Sequence, residues 1–155
     1  MADASETERD GELRELLARV FATQRLAVLA THHEGQPYCS LVGFAASEDL
    51  SGLLFATARA TRKFRNLTGD PRVAMMVDTR THRDRDFREA VAVTAVGRAR
   101  EVAKTPEGPL LRTYLARQPE LSQFVLSADC ALLRLEVERY VVVHGLREVS
   151  ELRPG

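Results

Sequence analysis

The chain has 155 residues, of which 45% are hydrophobic and 28% charged. That composition excludes a disordered chain and suffices for one packed core. Lys plus Arg and Asp plus Glu number 22 each, so there is no cationic excess for non-specific nucleic-acid binding, and any anion must be held locally.

Cys39 and Cys130 lie far apart and outside any Cys-x-x-Cys, which reads as two reduced thiols. The opening residues lack the apolar stretch of a secretion signal, and no apolar run reaches the roughly 20 residues of a membrane span. A cytoplasmic protein is expected, folded as one domain over 1–155.

A leading helix is predicted over about 8–23. Ser5 or Thr7 is its expected cap, and Leu13, Leu16, Leu17, Val20 and Phe21 form its apolar stripe. Strands follow at 26–31, 38–45 and 53–57, joined by His33-Glu34-Gly35-Gln36-Pro37 and by 46–52. Residues 61–67 read as a short helix capped by Thr61 and stopped by Gly69-Asp70-Pro71. The next strand, 72–78, is apolar almost throughout, which predicts burial on both faces. Residues 80–89, charged with both signs, read as a solvated loop, or else as one that faces a site and contributes a cation. The fifth strand is predicted at 90–102, with Gly97 as a bulge or point of close approach. A helix should start at Thr105-Pro106 and end near Arg117, followed by a second short helical piece after Gln118-Pro119. A last strand covers 131–144. Six strands without βαβ alternation predict a mainly β protein, a six-stranded antiparallel barrel over about 25–147 with flanking helices.

The segment Thr57-Ala58-Arg59-Ala60-Thr61-Arg62-Lys63 is the most informative for chemistry. Arg62 and Lys63 occupy the first turn of a helix, where the dipole already disfavours cations. A phosphate there would take the free N–H groups, the Thr61 hydroxyl and both cations. A surface turn with side chains in water fits the spacing equally well. Along 38–45, Tyr38, Ser40, Val42 and Phe44 alternate with Cys39, Leu41, Gly43 and Ala45. Gly43 and Ala45 would permit a flat ligand to approach. The adjacent His32 and His33 match no metal spacing, and Ser40 lacks a nucleophile elbow.

Taken in order, Leu29-Ala30-Thr31, Gly35-Gln36-Pro37, Ser40-Leu41-Val42-Gly43-Phe44, Phe55-Ala56-Thr57, Thr61-Arg62-Lys63, Asn66-Leu67 and Asp70-Pro71-Arg72-Val73-Ala74 resemble the pyridoxamine 5′-phosphate oxidase-like family of FMN-binding split barrels. The resemblance is strongest over 26–78, and 95–99 and 137–142 extend it. It implies a homodimer with FMN at the subunit interface. It implies a flavin phosphate on Thr61, Arg62 and Lys63, a ring along Ser40, Leu41 and Val42, and contact from Ala56 and Thr57. Three positions depart from the oxidase itself: Ser40 stands in place of an arginine, Ala45 of a lysine and Ala92 of a glutamine. The oxidase's C-terminal aromatic and arginine have no secure counterpart, with Arg147 the nearest. The resemblance therefore implies a flavin-dependent oxidoreductase of unspecified substrate rather than that oxidase. Two alternatives stay open: the deazaflavin F420 in place of FMN, and a haem- or flavin-carrying module without turnover, for which His144 is the candidate ligand.

Overall fold

Glu34 and Gly35 both take positive φ, 49° and 80°, the backbone of a two-residue hairpin turn whose twist suits flanking strands. The computed structural model describes residues 4–155. Its sheet begins there, with β1 (Leu26–His33) and β2 (Gln36–Ala46) paired from Leu26↔Gly43 to His33↔Gln36. β3 (Gly52–Ala58) follows a turn organised by Asp49. One Asp49 carboxylate oxygen accepts from the Ser47 and Ser51 hydroxyls, both at 2.7 Å, and from the Ser51 N–H at 3.0 Å.

The remaining strands are β4 (Arg72–Asp78), β5 (Val91–Val102), β6 (Cys130–His144) and β7 (Glu148–Leu152). The order is β3-β2-β1-β4-β5-β6-β7, antiparallel throughout, and β3–β6 pairing closes the first six into the expected barrel. β6 gives one edge to β5 and divides the other, with 130–136 serving β3 and 140–144 serving β7. The register slips between Val96 and Gly97. A Cβ on Gly97 would collide with the Glu136 carbonyl, so this is the anticipated bulge. β2 pairs with β3 only through Phe44, Ala45 and Ala46. Beyond them, residues 36–43 of β2 and 56–58 of β3 part company, and the barrel is split.

α1 (Ala4–Thr23) sends Leu17, Val20 and Phe21 into the barrel core. The Phe21 ring lies 5.7 Å from that of Phe44 and 5.8 Å from that of Tyr140. The Tyr140 hydroxyl donates to the Leu50 carbonyl at 2.6 Å. α2 (Arg62–Gly69) connects β3 to β4, and α3 (Asp86–Glu89) precedes β5. α4 (Pro109–Arg117) and α5 (Ser122–Leu126), joined by a 3₁₀ turn over Pro119–Leu121, form a second apolar layer. There Leu111, Tyr114 and Val125 bury Leu54 and Leu132.

Several expectations are corrected. β4 is buried on one face only: Val73, Met75 and Val77 are inside while Ala74 and Met76 stay partly exposed. The strand enclosed on both sides is β3, because α4 and α5 lie over its outer face. Ser5 and Thr7 lie within α1 rather than capping it. The Thr105-Pro106 signal makes a turn, in which the Gly108 N–H donates to the Thr105 carbonyl at 2.8 Å. α4 starts at Pro109, with Gly108 as N-cap. The charged segment 80–89 contains α3, and β7 extends the sheet past 147.

Candidate functional site

Thr61 caps α2 with extended backbone (φ −81°, ψ 155°), and its hydroxyl oxygen accepts the Phe64 N–H at 3.3 Å. That hydroxyl donates to the Ala58 carbonyl at 2.8 Å and lies 2.8 Å from the Thr57 hydroxyl. The Thr57 hydroxyl also reaches the Ala58 carbonyl, at 3.3 Å, so either hydroxyl can be the donor between the two. The Arg65 N–H bonds the Thr61 carbonyl. The first-turn N–H groups of Arg62 and Lys63 therefore remain for an external acceptor.

The cations around this turn differ in commitment. Arg59 pairs with Glu101 and lies 5.6 Å from the centre of the Phe64 ring, so it is neutralised. Arg62 stacks on Tyr38, its guanidinium carbon 5.1 Å from the ring centre. Among the described residues neither Arg62 nor Lys63 is in an ion pair. The turn thus holds positive charge and free donors with no carboxylate of its own, a combination that suits a phosphate.

Beside the turn lies the split. The Phe44 N–H donates to Arg25 on the β1 side at 3.3 Å. Strand alternation then turns the backbone N–H groups of Leu41 and Gly43 toward the open edge, and those of Ser40 and Val42 toward β1. Ser40 and Val42 share the inward side with Phe44, whereas Leu41 points outward and is 65% exposed. The Ser40 hydroxyl oxygen is buried without a hydrogen-bond partner, which native proteins rarely leave so. Ala56 and Thr57 continue β3 past its last partner on β2. Their side chains are buried; alternation along β3 turns the backbone groups of Ala56 toward the split and those of Thr57, like the Arg59 N–H that donates to the Asp129 carbonyl, toward β6. Gly43 does not serve a ligand through its missing side chain. Gln118 fills that space, its amide donating to the Arg25 and Phe44 carbonyls, and Ala45 lies in the second apolar layer.

Between the β1–β2 hairpin and α2 runs a groove of about 700 Å³ lined by Pro37, Tyr38, Arg62, Arg65, Asn66 and Gly69, among others. Sequence reasoning missed Tyr38 as the partner of Arg62, and Glu101 as that of Arg59. Both contacts join segments distant in the chain. His144 ends β6 exposed, in a separate groove with Phe87, Arg88, Leu146 and Arg147, and Ala92 sits at the far end of β5. The structure does not bring these residues to the Thr61 turn. Burial pushes the Cys130 thiol up, which keeps it protonated near neutrality, and Cys39 is exposed. Among the described residues no group of His, Cys, Asp and Glu could hold a metal, and no helix is long and apolar enough to cross a membrane.

The family profile described as pyridoxamine 5′-phosphate oxidase matches residues 11–144. Among solved structures, a heme-binding protein from Mycobacterium smegmatis superposes with TM-score 0.77 at 20% identity, over 88% of this chain and 56% of that one. A protein of unknown function from Agrobacterium tumefaciens gives 0.72 at 27%, over 87% and 57%. A FAD-binding protein from Mesorhizobium loti gives 0.65 at 21%, over 83% and 90%. The chain thus spans little more than half the length of the first two. At 20 and 21% identity the likeness shows a shared fold. No curated protein sequence matches.

Proposed function

The chain belongs to the pyridoxamine 5′-phosphate oxidase family, and from that premise we propose that it is a cytoplasmic FMN-binding flavoprotein that works as an oxidoreductase. The carrying observation is the conjunction of a split barrel edge with a helix start that has free N–H groups, two hydroxyls and unpaired cations. Thr61, Arg62 and Lys63 would hold the flavin phosphate, with Thr57 orienting the Thr61 hydroxyl. The strand Ser40, Leu41 and Val42 would lie along the ring, with the backbone of Leu41 on the open edge and the orphaned Ser40 hydroxyl as a ready donor. Ala56 would complete the wall through its backbone, and Thr57 would act through its hydroxyl at the Thr61 turn. When bound, the flavin supplies two-electron chemistry, taking a hydride from a reduced nicotinamide or organic substrate and passing the electrons on.

Titration with FMN, followed by flavin fluorescence quenching, tests this. Wild type should bind FMN. Thr61→Ala combined with Lys63→Ala should weaken binding with unchanged far-ultraviolet circular dichroism. Absence of FMN uptake overturns the proposal, and a parallel titration with F420 decides between the two cofactors.

The outer barrel face favours a homodimer with the cofactor at its interface. Leu41, Val28, Met76, Thr94 and Val141 face one another in register across five strands. A half-buried antiparallel sheet would ordinarily be polar on such a face.

A second reading is a haem-handling module without turnover. It is favoured by the fold shared with the Mycobacterium heme-binding protein and by exposed His144 beside Phe87 and Leu146. A Soret band on haem addition that disappears in His144→Ala would establish it; a band unchanged by that substitution would remove His144 as ligand.

A further inference from the structure

The start of β6 is held by a side chain from another segment. Lys104, half-buried between β5 and α4, directs its ammonium at three main-chain carbonyls: Val125 at 3.0 Å, Ser127 at 2.8 Å and Cys130 at 2.6 Å. Three is the whole donor complement of an ammonium group. Among the described residues no carboxylate pairs with it. Val125 lies in the last turn of α5 and Ser127 is its C-cap, where unpaired carbonyls favour a cation. Lys104 thereby fixes the turn from α5 into β6, in which the Cys130 N–H donates to the Ser127 carbonyl at 3.1 Å.

That turn makes a second contact. Between Ser127 and Cys130, the Asp129 carbonyl accepts the Arg59 N–H at 2.8 Å, one residue beyond Ala58↔Cys130, the last pair of β3 with β6. The Ala58 carbonyl accepts the Thr61 N–H at 3.2 Å and the Thr61 hydroxyl at 2.8 Å, and the Thr57 hydroxyl reaches it at 3.3 Å. Three bonds that shape the Thr61 turn thus end on one carbonyl, and the next residue along is anchored to Asp129.

From this chain of contacts we infer that Lys104 is a positioning residue for the Thr61 turn. Its ammonium sets the 127–130 turn, that turn sets Arg59 through the Asp129 carbonyl, and Arg59 sets the Ala58 carbonyl on which the Thr61 cap is built. Lys104 acts through main chain alone and touches no bound group. Its effect on phosphate binding rests on the flavin proposal; its effect on the turn does not.

Amide hydrogen exchange without cofactor tests the placement. In Lys104→Met, which keeps the stem and loses the charge, the Arg59 and Thr61 amides should exchange about tenfold faster, while Leu29 in β1 keeps its wild-type rate. Lys104→Arg keeps the charge but spreads its donors over three nitrogens. It should fall between the two, and it carries the test if Lys104→Met does not fold. In Lys104→Ala, methylammonium should slow the exchange again, and tetramethylammonium, which has no N–H to donate, should not. FMN titration then reads the site: both Lys104→Met and Lys104→Arg should weaken binding, the first by about tenfold. Gly97→Ala, which strains the sheet away from this corner, is the control and should bind FMN as wild type does. Wild-type exchange at Arg59 and Thr61 in the Lys104 variants, equal rescue by tetramethylammonium, or an equal loss of FMN affinity in Gly97→Ala would overturn the inference. Absence of FMN uptake by the wild type would sink the flavin proposal alone, because the exchange rates are read without flavin.

Discussion

Replacing Thr61 by Ala removes an N-cap and a hydrogen-bond partner of the Thr57 hydroxyl in one step. Loss of such a cap costs about 1 kcal/mol, so urea unfolding should show a lower midpoint, and Thr61→Ser should restore it. Asp49 makes a pH-dependent contribution. Hydrogen bonds from Ser51 and Ser47 hold its carboxyl well below the ordinary carboxylate range. A depressed folded-state value stabilises the protein above the unfolded value, about 4, and the contribution is lost as pH falls through the folded one. Thermal melts from neutral pH downward should therefore show falling stability below about pH 4. Asp49→Asn should flatten that fall, and an identical acid profile in the variant would refute the assignment.

At the scale of elements, the bulge in β5 is the most exacting feature. Gly97→Ala would drive a methyl into the Glu136 carbonyl, a backbone atom that cannot swing aside, and overpacking of this kind costs about 1–3 kcal/mol or more. Chemical denaturation should detect it. Gly97 was legible in the sequence because a lone glycine inside an apolar strand has few other uses. The β1–β2 turn and the Thr61 cap were legible for the same reason: local chemistry determines them. The start of α4 was not, since Thr105-Pro106 and Gly108-Pro109 both offer starts and the Thr105–Gly108 turn decides between them. Nor was the one-sided burial of β4, because what covers a strand depends on where α4 and α5 land. The candidate site divides likewise. Its helix cap can be read along the chain, whereas the Tyr38–Arg62 stack, the Arg59–Glu101 pair and the orphaned Ser40 hydroxyl arise only on folding.

For the molecule as a whole, the apolar outer row bears on assembly. Met76 sits at its middle, paired with Val28 on one side and Thr94 on the other. Met76→Arg should convert a dimer into monomers in sedimentation velocity and weaken FMN binding with it. An unshifted sedimentation coefficient would remove this face as the interface. The division of β6 between β3 and β7 reaches further, into how the chain assembles itself. The β1–β2 hairpin joins neighbouring segments, but β3 can meet β6 only after α2, β4, β5 and the later helices have been spanned. Contacts so distant along the chain bring the greater loop-closure cost before they return any stability. Closure of the ring is therefore expected late in refolding. Pulsed hydrogen exchange should protect amides of residues 26–33 before those of 53–57. Until that moment the slot beside Thr61 has only one wall, so a flavin bound there as proposed would find its binding edge last.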